Sequence, residues 1–172
     1  IAMATQTSSL IGVDLSGTGG TTQLFALGTV ATGDSASLWQ YIQATSTLVT
    51  GTVVNIGAAG TGKVMMTAML TGIATGVQLG FAQTLVNQGE FAWVALMGKS
   101  MYVLTSGSLT ATTNDTLVGF GPNSGRLVPS TAGTLGSTAL GIYLLSSVGT
   151  ADLAAGVPTI ATLVWPRMSQ GQ

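Results

Sequence analysis

The chain has 172 residues, of which four are Lys or Arg, five are Asp or Glu, and none is His or Cys. Charged residues make up 5% of the chain, against about one quarter in ordinary globular proteins. This composition provides no histidine base, no cysteine nucleophile and no His or Cys metal ligand. We therefore expect a protein without enzymatic activity, without a metal and without a bound cofactor.

The scarcity of charge also limits the partners of the chain. Four dispersed cations cannot neutralise a phosphate backbone, so we expect no nucleic-acid binding. The formal net charge of −1 gives little electrostatic repulsion between copies. We expect a permanent assembly in which neighbours cover much of the surface; a monomer with an unusually neutral, Thr- and Ser-rich surface is the alternative.

In chain order, the first segment is an N-terminal arm, residues 1–20. It is polar and Gly-rich, contains no run long enough for a core strand, and shows no pattern typical of a signal peptide. The short apolar segment with Leu10, Ile11 and Val13 is typical of a strand that adds to an exposed sheet edge. We expect an extended arm that secures the protein to a neighbouring subunit or shell.

Residues 21–167 are predicted to form a single all-β domain, a compact β-barrel or β-sandwich. Short runs rich in Val, Ile, Leu, Thr and aromatic residues alternate with Gly, Ser, Asn or Asp clusters, as in such folds. The predicted strands are 23–30, 38–44, 52–56, 77–82, 91–97, 100–104, 116–120, 140–145 and 159–164.

Two details of these strands are also predicted. Met97-Gly98-Lys99-Ser100 lies between two apolar runs, and Gly98 favours the positive φ of a hairpin turn. The last strand is predicted to end at Pro166, which cannot donate a ladder hydrogen bond. Residues 168–172 are then expected to be a loose C-terminus.

A faint internal repeat occurs within the domain. The first copy consists of segments 53–57, 62–64 and 79–81, and the second of segments 117–121, 125–127 and 140–142. The order of the segments is the same, and each lies about sixty residues from its partner. Either a β-unit is duplicated, near 48–82 and 112–145, or the similarity is chance in a chain rich in Gly and Val.

Segment 57–63 resembles a phosphate-binding loop, because it fills the first seven positions of GxxxxGK[ST]. The eighth position, which must supply a hydroxyl for Mg²⁺, is Val64. We therefore predict a Gly-rich hairpin loop with one solvated lysine, Lys63.

The uncharged segment 64–86 carries Gly72, Gly76 and Gly80 at the GxxxG spacing of transmembrane dimers. Its Thr and Gln residues, and the absence of flanking aromatic belts, argue for β-structure with repeated turns. We expect no membrane partner.

Aromatic residues are the remaining candidates for contacts. Period-two alternation places Trp39 and Tyr41 on one face of their strand, and Phe91 and Trp93 on one face of theirs. Core or inter-subunit packing is one interpretation, and a platform that stacks on sugars is the other. The candidate assembly contacts are Leu10, Ile11, Val13, Trp39, Tyr41, Phe91, Trp93 and Trp165.

Several segments resemble small structural proteins encoded beside major capsid genes in tailed bacteriophages. They are Leu27-Gly-Thr-Val30 followed by Gly33-Asp34, Trp39-Gln-Tyr41-Ile-Gln43-Ala44, Gly89-Glu-Phe91-Ala-Trp93-Val94 with Gly98, and Leu163-Val-Trp165-Pro166. The resemblance implies a capsid decoration (cement) protein, a β-rich homotrimer on the outer surface of the virion. Its partner would be the major capsid protein at threefold or quasi-threefold positions.

Two other functions remain open. The first is a phage tail or fibre component, or another surface β-module, with carbohydrate-binding loops. The second is a membrane-inserted β-protein.

Overall fold

The computed structural model describes residues 15, 17, 19–57, 60–64, 78–105, 118–120, 125–129, 138–145 and 158–169. This part of the chain forms ten β-strands and one short 3-10 turn, Asp34–Ala36, which confirms the predicted all-β class. The strands are β1 (Val30–Thr32), β2 (Leu38–Ala44), β3 (Val53–Ile56), β4 (Thr61–Val64), β5 (Leu79–Ala82), β6 (Phe91–Val103), β7 (Val118–Phe120), β8 (Leu127–Pro129), β9 (Thr138–Leu144) and β10 (Thr159–Ser169).

Five of the strands close into a ring. β2 pairs in parallel with β4, and antiparallel pairing continues from β4 through β3 and β5 to β6. β6 then pairs with β2, which closes the ring, and β1 is added beside β2. Alternate side chains fill its interior because successive residues of a strand point to opposite faces. This interior cluster consists of Ile42, Ala44, Leu48, Val54, Ala82, Val86, Ala92 and Val94.

The C-terminal half of β6 belongs to a second sheet, in which antiparallel pairing runs through β10, β9, β7 and β8. β8 in turn pairs with residues 104–105, which directly follow β6, and this pairing closes a second ring. The backbone N–H of Leu127 donates to the carbonyl of Leu104 at 2.8 Å, and Leu127 forms a parallel bridge with Thr105. The second ring therefore has the same sequence of parallel and antiparallel neighbours as the first.

The two copies of the internal repeat occupy corresponding strands of these rings. The first copy lies on β3, β4 and β5, and the second lies on β7, β8 and β9. A duplicated β-unit would produce this arrangement.

Two further hydrophobic clusters cover the outside of the first ring. One joins the outer sides of β3, β5 and β6 to the inner face of the second sheet, and it contains Val53, Leu79, Phe81, Ala95, Met101, Val103, Leu127, Ile142, Ala161 and Leu163. The other lies over β2 and β6 on a different side and contains Leu15, Ala31, Tyr41 and Trp93. Both clusters bury side chains that point away from the ring interior.

The predicted hairpin at Gly98 is wrong, because Phe91–Val103 forms one continuous strand. The φ angles of Gly98 and Ser100 are 151° and 58°, and they shift the register of the strand without reversing its direction. Met97 still pairs with β2, whereas Gly98 pairs with β10. Glycine at this position thus lets one strand pass from the first ring into the second.

The predicted C-terminal boundary is also wrong. β10 continues through Pro166 to Ser169, and Met168 and Ser169 pair with β9. Pro166 is tolerated because it lies where the β9–β10 register shifts and no ladder hydrogen bond is needed. Two of the residues expected to be loose therefore belong to the sheet. At the other end, the strand predicted from residue 23 begins only at Val30.

The predicted N-terminal arm lies mostly outside the described residues. Leu15 is buried against Tyr41 and Trp93, and Gly20 exchanges two backbone hydrogen bonds with Phe91, at 3.0 and 2.8 Å. Leu15 is therefore a core residue although the arm was expected to contribute none, whereas Gly20 is exposed and is held to β6 only through its backbone.

Candidate assembly surface

An aromatic cluster gathers three of the predicted contact residues. Tyr41 on β2 is the direct cross-strand partner of Trp93 on β6, with ring centroids 5.2 Å apart. Phe91 stacks on Tyr41 at 6.2 Å, and Phe25 meets Tyr41 edge-on at 5.3 Å. The rings therefore pack on one another within the chain.

Residues 20–29 cover this aromatic cluster. The backbone N–H of Leu24 donates to the Tyr41 hydroxyl at 3.1 Å. Gly28 and Thr29 hold the segment to the Tyr41 backbone through two hydrogen bonds of 2.8 Å each. Tyr41 and Trp93 are consequently buried by their own chain, and little of either ring is left for a partner.

The other predicted contacts are placed differently. Trp39 is half-buried, and its indole N–H donates to the hydroxyl of Ser37 at 3.0 Å. Phe91 is also half-buried, whereas Trp165 is exposed. Leu10, Ile11 and Val13 lie outside the described residues. Trp165 is therefore the predicted contact that the structure places in an accessible position.

The second sheet exposes a row of large apolar side chains to solvent, interrupted on β10 by the half-buried Thr162. We call this the outer face; it consists of Tyr102 on β6, Ile160 and Val164 on β10, Tyr143 on β9, and Leu145 just after β9. Tyr102 is the cross-strand partner of Ile160, and the backbone N–H of Leu145 donates to the Ile160 carbonyl at 3.0 Å. Tyr102, Ile160 and Leu145 are therefore immediate neighbours, and Tyr143 lies opposite Thr162, between Ile160 and Val164. Such a patch marks an interaction site on many proteins.

Trp165 is a further exposed aromatic residue on β10, next in sequence to Val164. Strand alternation would point Trp165 inward, like Ala161 and Leu163, which are buried. The register between β10 and β9 shifts between Leu163 and Arg167, and Trp165 has a φ of 50°. Its side chain is consequently 46% exposed. A positive φ is unfavourable for a bulky residue, so the fold holds this exposed indole at a cost in backbone strain.

Sequence reasoning did not select the outer face as a contact surface. A usable signal was present in 142–145, an uninterrupted apolar run, and in 160–164, where Thr162 alone interrupts apolar residues at inward and outward positions. An uninterrupted apolar run is typical of a strand that is covered on both faces. In the isolated chain only the inner face of these strands is covered.

The loop that resembles a phosphate-binding motif is a hairpin, as predicted. Gly57 donates its backbone N–H to the carbonyl of Thr61 at 2.8 Å, and β3 and β4 pair antiparallel on either side of the turn. Lys63 lies within β4 opposite Asn55, and no helix follows the loop in the described residues, which continue only to Val64 before a gap.

No protein-family model, no curated protein and no solved structure matches this chain. Within the ranges that the structure describes, no three acidic, His or Cys side chains group as a metal site would require. Those ranges also contain no helix with the length and apolar character needed to cross a membrane.

Proposed function

We propose that this chain is a non-enzymatic structural protein of a bacteriophage virion. It binds the major capsid protein on the outside of the capsid lattice and stabilises the shell, as a decoration or cement protein does. It acts as a homotrimer, and its place is the capsid outer surface. The phage-like segments around Trp39, Phe91 and Trp165 support this assignment.

The observation that carries the proposal is the outer face on a chain with very little charge. Charged groups resist burial because removing them from water is costly, whereas the exposed Tyr, Ile, Leu and Val side chains of this face favour it. A protein built for permanent assembly needs a surface of this kind. A protein that works alone in solution does better without one.

Stabilisation of a shell follows from simple linkage. A protein that binds assembled capsid subunits, and not dissociated ones, shifts the equilibrium toward the assembled lattice. The effect requires neither catalysis nor a cofactor. It requires only that each copy bridges positions that separate when the shell opens.

Co-sedimentation with capsids tests the proposal. Purified protein is mixed with heads that lack it, from the virus that encodes the chain, and the heads are pelleted. We expect saturable binding at a fixed ratio to the major capsid protein, and heads that withstand a higher temperature when coated. Protein that stays in the supernatant, or that binds isolated tails or host glycans instead, would refute it.

A further inference from the structure

We infer that the outer face of the second sheet is a contact surface for a second copy of this chain. The inference deepens the proposed function, since a decoration protein that acts as an oligomer needs such a contact. It stands on the geometry of β6, β10 and β9.

In the part of the chain that the structure describes, the second sheet is covered on one face only. Its inner side is already packed against the first ring, through Ala161, Leu163 and Ile142 among others. On the outer side, Ile160 lies between Tyr102 and Leu145 in the adjacent strands. A row of large side chains across adjacent strands is a surface that can pack face to face on another layer, about 10 Å away.

The lack of charge on the outer face restricts the partner that can cover it. The side chains of the outer face are uncharged, and the nearest exposed cation on β6 is Lys99, before Tyr102. A partner with charged groups at the contact would have to bury them without counter-charges, which is unfavourable. The occupant must therefore be neutral and apolar where it touches this face.

A second copy meets that requirement without further assumptions. The whole chain has nine charged residues, the sum of four basic and five acidic ones, so two copies approach with little repulsion. Each copy also exposes the same apolar side chains and gains by covering them. Trp165, the residue after Val164 on β10, is also exposed, and Trp is enriched among the residues that dominate interface energies.

A matched pair of substitutions tests the inference. Val164 on the outer face and Val30 on β1 are 51% and 52% exposed, and both are in strands. The variants Val164→Glu and Val30→Glu therefore add the same charge at equally exposed valines. The weight-average mass is measured by analytical ultracentrifugation without capsids, from about 1 to 100 μM, a range that reveals micromolar dissociation constants.

We expect the wild type and Val30→Glu to have a mass above that of one chain, and Val164→Glu to keep the mass of one chain. Far-ultraviolet circular dichroism checks that each variant is folded. If Val164→Glu does not fold, Tyr143→Lys replaces it as the outer-face variant. A wild type that stays monomeric throughout overturns the inference. The inference is also overturned if a folded outer-face variant associates as the wild type does, or if Val30→Glu loses as much self-association as Val164→Glu.

Binding to heads separates this inference from the proposed function. If Val164→Glu is monomeric but still binds heads, with reduced saturation, the outer face joins copies to one another. If it associates normally but no longer binds heads, the face contacts the shell and the inference is wrong. If the wild type associates but never binds heads, the contact between copies stands and the proposed function fails.

Discussion

The side-chain amide of Gln83 pairs with the backbone of Tyr102 as an adjacent strand would. The backbone N–H of Tyr102 donates to Gln83 Oε1 at 2.8 Å, and Gln83 Nε2 donates to the Tyr102 carbonyl at 3.1 Å. Tyr102 lies in the half of β6 that has entered the second sheet and is paired with Ile160 on β10. Gln83 therefore supports β6 at the point where the outer face begins.

Replacement of Gln83 by Ala should lower the free energy of unfolding by about 1 kcal/mol. Three hydrogen bonds are lost, the third being a long one of 3.4 Å from Gln83 Nε2 to the Phe81 carbonyl. The two bonds to Tyr102 are exposed, so water replaces much of their energy. Urea denaturation measures the change. Gln23→Ala, which removes one local bond to Phe25, is the control and should stay within about 0.5 kcal/mol of wild type. Equal effects of the two variants would show that Gln83 has no special role.

Substitution of Gly51, which lies at the junction of the two rings, should lower the free energy of unfolding more than substitution of Gln83. The carbonyl of Gly51 accepts from the N–H of Leu104 at 2.8 Å, the φ of Gly51 is 83°, and a Cβ there would lie 2.7 Å from the Leu104 nitrogen. Gly51→Ala should therefore destabilise the protein by about 3 kcal/mol, from positive φ and backbone overlap together.

Gly89 provides the matched control for Gly51. Its φ is 88°, but a Cβ would meet nothing within 4 Å. Gly89→Ala should therefore show only the conformational cost, about 1 kcal/mol. Thermal and urea unfolding of both variants give the comparison, and a Gly51→Ala protein as stable as Gly89→Ala would contradict the described junction.

Replacement of Trp165 by Gly should remove the indole without destabilising the fold. Glycine adopts a φ of 50° without strain, so relief of about 1 kcal/mol offsets the packing that the half-exposed ring loses. We expect an unchanged or slightly higher melting temperature and weaker association between copies. A drop of more than about 2 kcal/mol would mean that the indole is core packing.

Two N-terminal deletions should differ in stability. Removal of residues 1–14 keeps Leu15 and the hydrogen bonds of Gly20 to Phe91, and it should leave melting nearly unchanged while weakening binding to heads. Removal of residues 1–20 also takes away the buried Leu15, and it should cost about 2 kcal/mol or more. The shorter deletion contradicts the arm hypothesis if binding to heads is unaffected.

Local pattern was enough to locate most of the strands. The prediction for 38–44 matches β2, and 52–56 differs from β3 by one residue, because alternation and flanking turn residues are short-range signals. The hairpin at Gly98 failed because a positive φ serves a turn and a bulge equally well. Only the pairing partners of β6 decide between them, and these are distant in sequence.

The candidate surface was less predictable than the strands. Tyr41 and Trp93 were proposed as contacts from their alternation, but alternation does not reveal that residues 20–29 fold over that side. Tyr102 and Ile160 are about sixty residues apart in sequence and become neighbours only through pairing of β6 with β10. A surface assembled from three strands is therefore visible only once the topology is known.

Electron cryomicroscopy of heads with and without this protein is the most direct test of its proposed role. We predict additional density outside the shell, repeated at threefold or quasi-threefold lattice positions and large enough for the two-ring β-domain of several copies. Heads that show the same density with and without the protein, or density confined to the tail, would contradict the assignment as a capsid decoration protein.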